Sequence, residues 1–145
     1  MQFKLKMTPP TATAQQKGER VIGGHVHHYK KKNVAEAEAI LRDALLPYVP
    51  EKPITDPIML VVAWMFPYPK SAKKHEPGKK RWKMTRPDTD NLNKLLKDVM
   101  TEMGFWKDDA LISLEMIQKI YDDEPGILIT ILDLEFVQPE VLVND

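Results

Sequence analysis

Hydrophobic and polar positions alternate from the start of the chain. Phe3, Leu5 and Met7 interleave with Gln2, Lys4 and Lys6, the period of two of a half-buried strand. Pro9 and Pro10 end it. Residues 11–24 are polar and glycine-containing and read as a loop carrying Lys17 and Arg20, and Val26–Tyr29 reads as a short strand before a basic step at Lys30–Lys32. A helical period follows. Asn33 is placed to N-cap, Glu36 stands three residues on as in a capping box, and Val34, Ala37, Leu41, Ala44 and Leu45 mark one face until Pro47 and Pro50. Ile58–Phe66 is a continuous apolar run, which predicts a central strand covered on both faces.

Residues 67–86 are rich in Pro, Gly and Lys and too polar to pack internally, so they read as a long loop whose length points to function. Leu92, Leu95, Leu96, Val99, Met100 and Met103 then follow the spacing of a second helix, stopped by Gly104. Leu111–Tyr121 and Ile127–Leu134 read as the two strands of a hairpin turned at residues 122–126. The expected fold is α+β, two helices packed on a mixed β-sheet, in one domain over residues 1–137 with a flexible tail at 138–145.

The absence of cysteine excludes disulfides, thiolate metal sites and cysteine nucleophiles. The longest apolar run is far below the roughly 18–20 residues of a membrane span, and MQFKLKMTPP has no apolar signal core, so a cytoplasmic protein without membrane contact is expected. Formal net charge is zero, but it is unevenly spread. Residues 1–68 hold nine Lys/Arg and six Asp/Glu (+3), residues 69–87 hold eight and one (+7), and residues 88–145 hold four and fourteen (−10). A phosphate-attracting surface thus runs directly into a carboxylate-rich one. Lys70, Lys73, Lys74, Lys79, Lys80, Arg81, Lys83 and Arg86 are the candidate phosphate contacts, with Tyr68 and Trp82 placed to stack or pack beside them.

Two acidic groups flank the second helix. Asp88, Asp90 and Asn91 stand at its entrance, with Lys94 one turn beyond Asp90, and Asp108–Asp109 follow its end. A helix-capping role explains one of Asp88 and Asp90 but not both, and a solvated turn is the plain reading of Asp108–Asp109. A chain reversal that returned Asp108 or Asp109 to Asp88 and Asp90 would instead build the oxygen-rich site that Mg²⁺ or Mn²⁺ prefers. The intervening helix, about 22 Å long at 1.5 Å per residue, makes that return demanding. An EF-hand is excluded because its sixth position would be Asn93 rather than Gly and its twelfth Val99 rather than Glu. No Ser/His/Asp arrangement competes, since His25, His27, His28 and His75 lie in polar segments; the His25, His27, His28 cluster is open to a transition metal or to a simple strand role.

Asp88-x-Asp90-Asn-Leu-x-Lys94 on a helix, followed by Gly104-Phe-Trp-x-Asp108-Asp109-Ala, resembles the active-site region of the RusA-like Holliday junction resolvases. These are small, dimeric, phage- or prophage-associated endonucleases of DNA recombination and repair. The resemblance implies metal-ligating carboxylates at Asp88, Asp90 and Asp109, with Asp108 as a neighbour, a catalytic Lys94, a Mg²⁺ or Mn²⁺ cofactor, branched four-way DNA as substrate and a homodimer. The N-terminal half departs more, and residues 67–86 are longer than the corresponding segment of the smallest members.

Overall fold

In a computed structural model, which describes residues 1–13, 17–30, 32–72 and 75–140, the alternating start of the chain forms strand β1 (Gln2–Leu5). Strands β2 (Lys17–Ile22) and β3 (His25–Lys30) make a hairpin turned on Gly23 and Gly24, whose φ values of 57° and 81° suit a tight two-residue turn. Helix α1 (Lys32–Leu45) buries Val34, Ala37, Leu41 and Leu45; it begins one residue before the expected cap, so Asn33 lies within it. The remaining elements are β4 (Ile58–Phe66), the two-residue β5 (Arg81–Trp82), α2 (Thr89–Met103), β6 (Ile112–Tyr121) and β7 (Gly126–Asp133). Gly104, at φ 88°, takes the left-handed turn that closes α2. Among the described residues no helix is long and apolar enough to cross a membrane.

The main sheet has the order β1-β7-β4-β6-β5 and is mixed: β4 is parallel to β6 and antiparallel to β7. Both helices pack on one face of it. Leu60, Val62, Trp64 and Phe66 of β4, with Ile127, Ile129 and Ile131 of β7, meet Leu41 and Leu45 of α1 and Leu92, Leu95, Leu96, Val99 and Met100 of α2. This is the two-helix, mixed-sheet α+β fold expected from the pattern.

Four expectations are corrected. Residues 112–121 and 126–133 are not a hairpin: β4 lies between them, and their connection crosses its end, where the Asp122 N–H donates to Phe66 O at 2.9 Å. Two strand spacings, about 10 Å, are within reach of four residues, so a short link does not require adjacent strands. The polar stretch 11–24 contains β2, and the stretch 67–86 contains β5, joined to the end of β6 through Arg81–Tyr121 and Trp82–Ile120. Lastly, β4 is covered along its whole length on its helix face only; on the other face Met65, near its end, is buried but the rest is not. Met59, Val61 and Ala63 on the other face are half-buried, and their register neighbours Leu114, Met116 and Leu132 are 50%, 49% and 47% exposed.

Candidate active site

The entrance of α2 is built by a short strap, residues 83–88, laid across the end of β6. The Lys83 N–H donates to Lys119 O at 3.0 Å, extending the β5 pairing by one residue. The Lys119 ammonium then donates to Thr85 O at 2.6 Å and to Pro87 O at 2.8 Å. Pro87 is buried and follows a cis peptide from Arg86. Asp88 occupies the N-cap position in extended conformation, yet its side chain makes no capping hydrogen bond. Asp90 lies in the first turn. Both residues are exposed, and among the described residues neither carboxylate has a hydrogen-bond or ion-pair partner. The positive end of the helix dipole offsets part of their charge. Capping therefore does not account for Asp88. Lys94 is exposed on the same face, 3.9 Å from Asp98 rather than paired with Asp90.

Beyond Gly104, Phe105 and Trp106 plunge into the core at 0% and 1% exposure, and the Trp106 indole N–H donates to Thr101 Oγ1 at 2.7 Å. Ile54 grips this turn from both sides, accepting from Lys107 N and donating to Phe105 O. So fixed, the chain presents Asp108 and Asp109 in different states. Asp108 accepts the Ala110 N–H at 2.9 Å and caps a single 3₁₀ turn. Asp109 is exposed, and its carboxylate has no partner among the described residues.

The two acidic groups stand apart within one chain. Lys119 late in β6 bonds to Pro87, while Asn93 and Lys97 bond to Glu115 nearer its start, so α2 runs antiparallel to β6. The 15 residues of α2 span about 22 Å, placing Asp88 and Asp90 at the end of β6 and Asp108 and Asp109 at its beginning. No group of three His, Asp or Glu residues able to hold a metal comes together among the described residues. Two free carboxylates two positions apart still match what Mg²⁺ requires of a protein, since that ion keeps several waters and takes one or two carboxylates plus a substrate phosphate.

The basic segment is anchored beside this entrance. Tyr68 stacks between His75 and Tyr121 at ring-centroid distances of 3.6 and 5.4 Å and donates to Lys79 O at 2.5 Å. Asp123, in the β6–β7 connection, receives the Gly78 N–H at 2.7 Å and lies 2.5 Å from His75 Nε2. Those two hydrogen bonds, the Gly78 N–H first, hold its carboxyl below the usual range. Lys80 lies 3.2 Å from Asp122, whose carboxyl is likewise lowered: burial works against its charge, but the Glu124 N–H and the Lys80 ammonium outweigh it.

Lys79 pairs with Glu76 at 3.4 Å, while Lys70, Arg81 and Arg86 are exposed. Lys83 sits over the rings of Phe66 and Tyr121 and donates to Thr85 Oγ1 at 2.6 Å. The Tyr121 phenol is lowered by its hydrogen bond with Thr85 and by Lys83, against its own burial. Of the two candidate stacking rings, Tyr68 is engaged and Trp82 is 70% exposed. Lys73, Lys74 and the side chains of His27 and His28 lie outside the described residues.

Several residues at this site were not singled out from sequence. Asn93 is 1% exposed on the apolar side of α2, accepts the Trp64 indole N–H at 2.7 Å and donates to Glu115 at 2.7 Å. A lone amide among Leu92, Leu95 and Leu96 was the available signal. Lys119 and Glu115 gave none, because only the topology sets β6 beneath α2.

Two aspartates at a helix start, without a partner among the described residues, thus stand beside an anchored lysine-rich segment, an arrangement that suits a nuclease. The family model of endodeoxyribonuclease RusA matches residues 8–132, and the chain belongs to that family. It is similar to the crossover junction endodeoxyribonuclease rusA of Lactococcus phage r1t, 28% identical over 133 residues that cover 92% of this chain and 98% of that protein.

Proposed function

We propose that the protein resolves four-way DNA junctions by metal-dependent hydrolysis of paired phosphodiester bonds, acting as a two-fold dimer. The observation that carries this reading is a set of carboxylates: Asp88, Asp90 and Asp109 are exposed and without a partner among the described residues of a RusA-family chain, whereas Asp108 is consumed by a local cap. Asp88 and Asp90, with Asp109, would hold Mg²⁺ or Mn²⁺, which would supply charge neutralisation and an activated water. Lys94, on the exposed face one turn from Asp90, meets the charge that grows on the scissile phosphate. Lys70, Lys79, Lys80, Arg81, Lys83 and Arg86, with Lys73 and Lys74, track the flanking phosphates.

The separation of Asp109 from Asp88 and Asp90 favours a dimer in which each site draws on both protomers. β5 covers only the last residues of β6, leaving the earlier edge open among the described residues, and Leu114 and Met116 are half-exposed there. Setting two β6 strands antiparallel about a two-fold axis brings the beginning of one beside the end of the other. Such a pair also suits the near two-fold symmetry of a four-way junction.

The test is single-turnover nicking of a synthetic four-way junction with and without Mg²⁺, beside linear duplex and flap controls. Symmetric, metal-dependent nicks in the junction alone are expected. Equal cleavage of linear duplex overturns the junction preference, and binding without cleavage at any metal concentration overturns catalysis.

A further inference from the structure

At the entrance of α2 one cation touches the backbone rather than a carboxylate. Lys119 lies on the helix-facing side of β6, in register with Trp64 of β4, and is partly buried. Two of its three ammonium protons are committed to Thr85 O and Pro87 O, the second being the carbonyl of the residue before Asp88. The Pro87 side chain is buried, so this carbonyl is fixed from both sides. The Asp88 carbonyl in turn accepts the first helical bond, from Leu92 N at 3.1 Å.

The same face of β6 also holds α2, where Glu115 accepts from Asn93 and Lys97, and the strap, where the Tyr121 hydroxyl lies 3.3 Å from Thr85 Oγ1. An ammonium facing carbonyls rather than a carboxylate gains charge-assisted hydrogen bonds without neutralising Asp88 or Asp90. The strap is therefore held by Lys119 without an ion pair to either carboxylate.

We infer that Lys119 is a positioning residue for the metal site: by clamping the carbonyls of Thr85 and Pro87 it fixes the direction in which the Asp88 carboxylate leaves the strap. This rests on the reading of Asp88 as a metal ligand given above. In this role Lys119 acts through Asp88 rather than on the metal or the reacting atoms, orienting a ligand by its surroundings. Such contributions typically change metal affinity by about 10–100-fold.

The experiment is calorimetric Mn²⁺ binding to the full chain without DNA, for the parent, Lys119→Met, Lys119→Arg and Asp88→Asn, with single-turnover junction cleavage across a Mn²⁺ titration. Lys119→Met keeps the aliphatic stem, and a thermal melt checks that it folds. It should bind Mn²⁺ about tenfold more weakly, yet regain most of the parental cleavage rate at saturating metal. Lys119→Arg, whose guanidinium can reach the same carbonyls, should restore affinity.

Parental Mn²⁺ affinity in a folded Lys119→Met variant overturns the proposal. So does a cleavage rate that stays low at saturating metal, which would put Lys119 on the substrate, and so does Lys119→Arg binding as weakly as Lys119→Met. The Asp88→Asn variant separates two failures. If it binds Mn²⁺ like the parent, Asp88 is not a ligand and both readings fall. If it loses Mn²⁺ while Lys119→Met does not, the positioning role alone falls.

Discussion

Asp88 and Asp90 place two negative charges at the start of α2, where the helix dipole favours them, and among the described residues neither carboxylate has a hydrogen-bond or ion-pair partner. We expect Asp90→Asn to keep its fold by circular dichroism and to bind junctions as tightly as the parent or more so, because a repulsion with phosphate is relieved. Its cleavage should fall by at least about 10²-fold as a metal ligand is lost. Parallel loss of folding and binding would return Asp90 to a structural role. The contrast between Asp108 and Asp109 gives a sharper check. Asp109→Asn should abolish cleavage with the melting temperature unchanged, whereas Asp108→Ala should cost about 1 kcal/mol of stability by losing its cap and leave turnover within a few-fold. Lys94→Ala should lower the cleavage rate by about 10²–10³ with little change in junction affinity measured in Ca²⁺, since it removes an interaction made chiefly in the transition state.

At the scale of elements, the described residues between Tyr68 and Arg86 form an anchored arm rather than a loose loop. Its hold on the sheet end comes from Asp123, Asp122 and the Tyr68 stack. Asp123→Asn should speed amide hydrogen exchange around Gly78 and weaken junction binding while leaving the metal site intact. The sign of its pH dependence follows from the lowered carboxyl: the anchoring is complete above about pH 4, the ordinary carboxylate value, and fades only as pH falls through the lower folded value. Exchange in the arm should therefore not vary through Asp123 between pH 5 and 8.

Neutralising Lys79, Lys80 and Arg81 together should reduce affinity and flatten its salt dependence by up to about 0.9 per lost phosphate contact on a log–log plot. A parental slope would show that this arm does not carry the DNA. The elements differ in how far they could be read in advance. β4 and α2 declared themselves through nine consecutive apolar residues and an unbroken helical spacing ended by Gly104. β2 did not, because Lys17-Gly-Glu-Arg lacks alternation and its pairing with β3 is set by the Gly23–Gly24 turn. The supposed hairpin misled because strand neighbours are chosen by burial of β4, which no local window records. The acidic motif could be found by spacing, whereas Lys119 and Glu115 could not, since their importance depends on where β6 lies.

For the whole molecule, the decisive question is whether one chain makes one site. If Asp109 of one protomer serves Asp88 and Asp90 of the other, mixing inactive Asp90→Asn protein with inactive Asp109→Asn protein should restore nicking. Half of the sites in each heterodimer would then be free of substitution, and one strand of the junction would be cut. If all three carboxylates act within one chain, the mixture stays dead. Met116→Glu offers an independent check, since a charge on the half-exposed strand should yield monomers by light scattering and abolish cleavage without unfolding the protomer.

The position of β4 also bears on the order of synthesis. β4 is the centre of the sheet, yet both strands that flank it, β6 and β7, are made after it, and β1 must wait for β7 to offer residues 127–130 to residues 2–5. A nine-residue apolar strand thus emerges from the ribosome well before anything can pair with its edges. Such long-range closure slows folding relative to a chain of local contacts. The nascent protein must therefore pass through an interval in which its most aggregation-prone segment is exposed, and its yield in the cell should depend on translation rate and chaperone supply more than its final stability suggests.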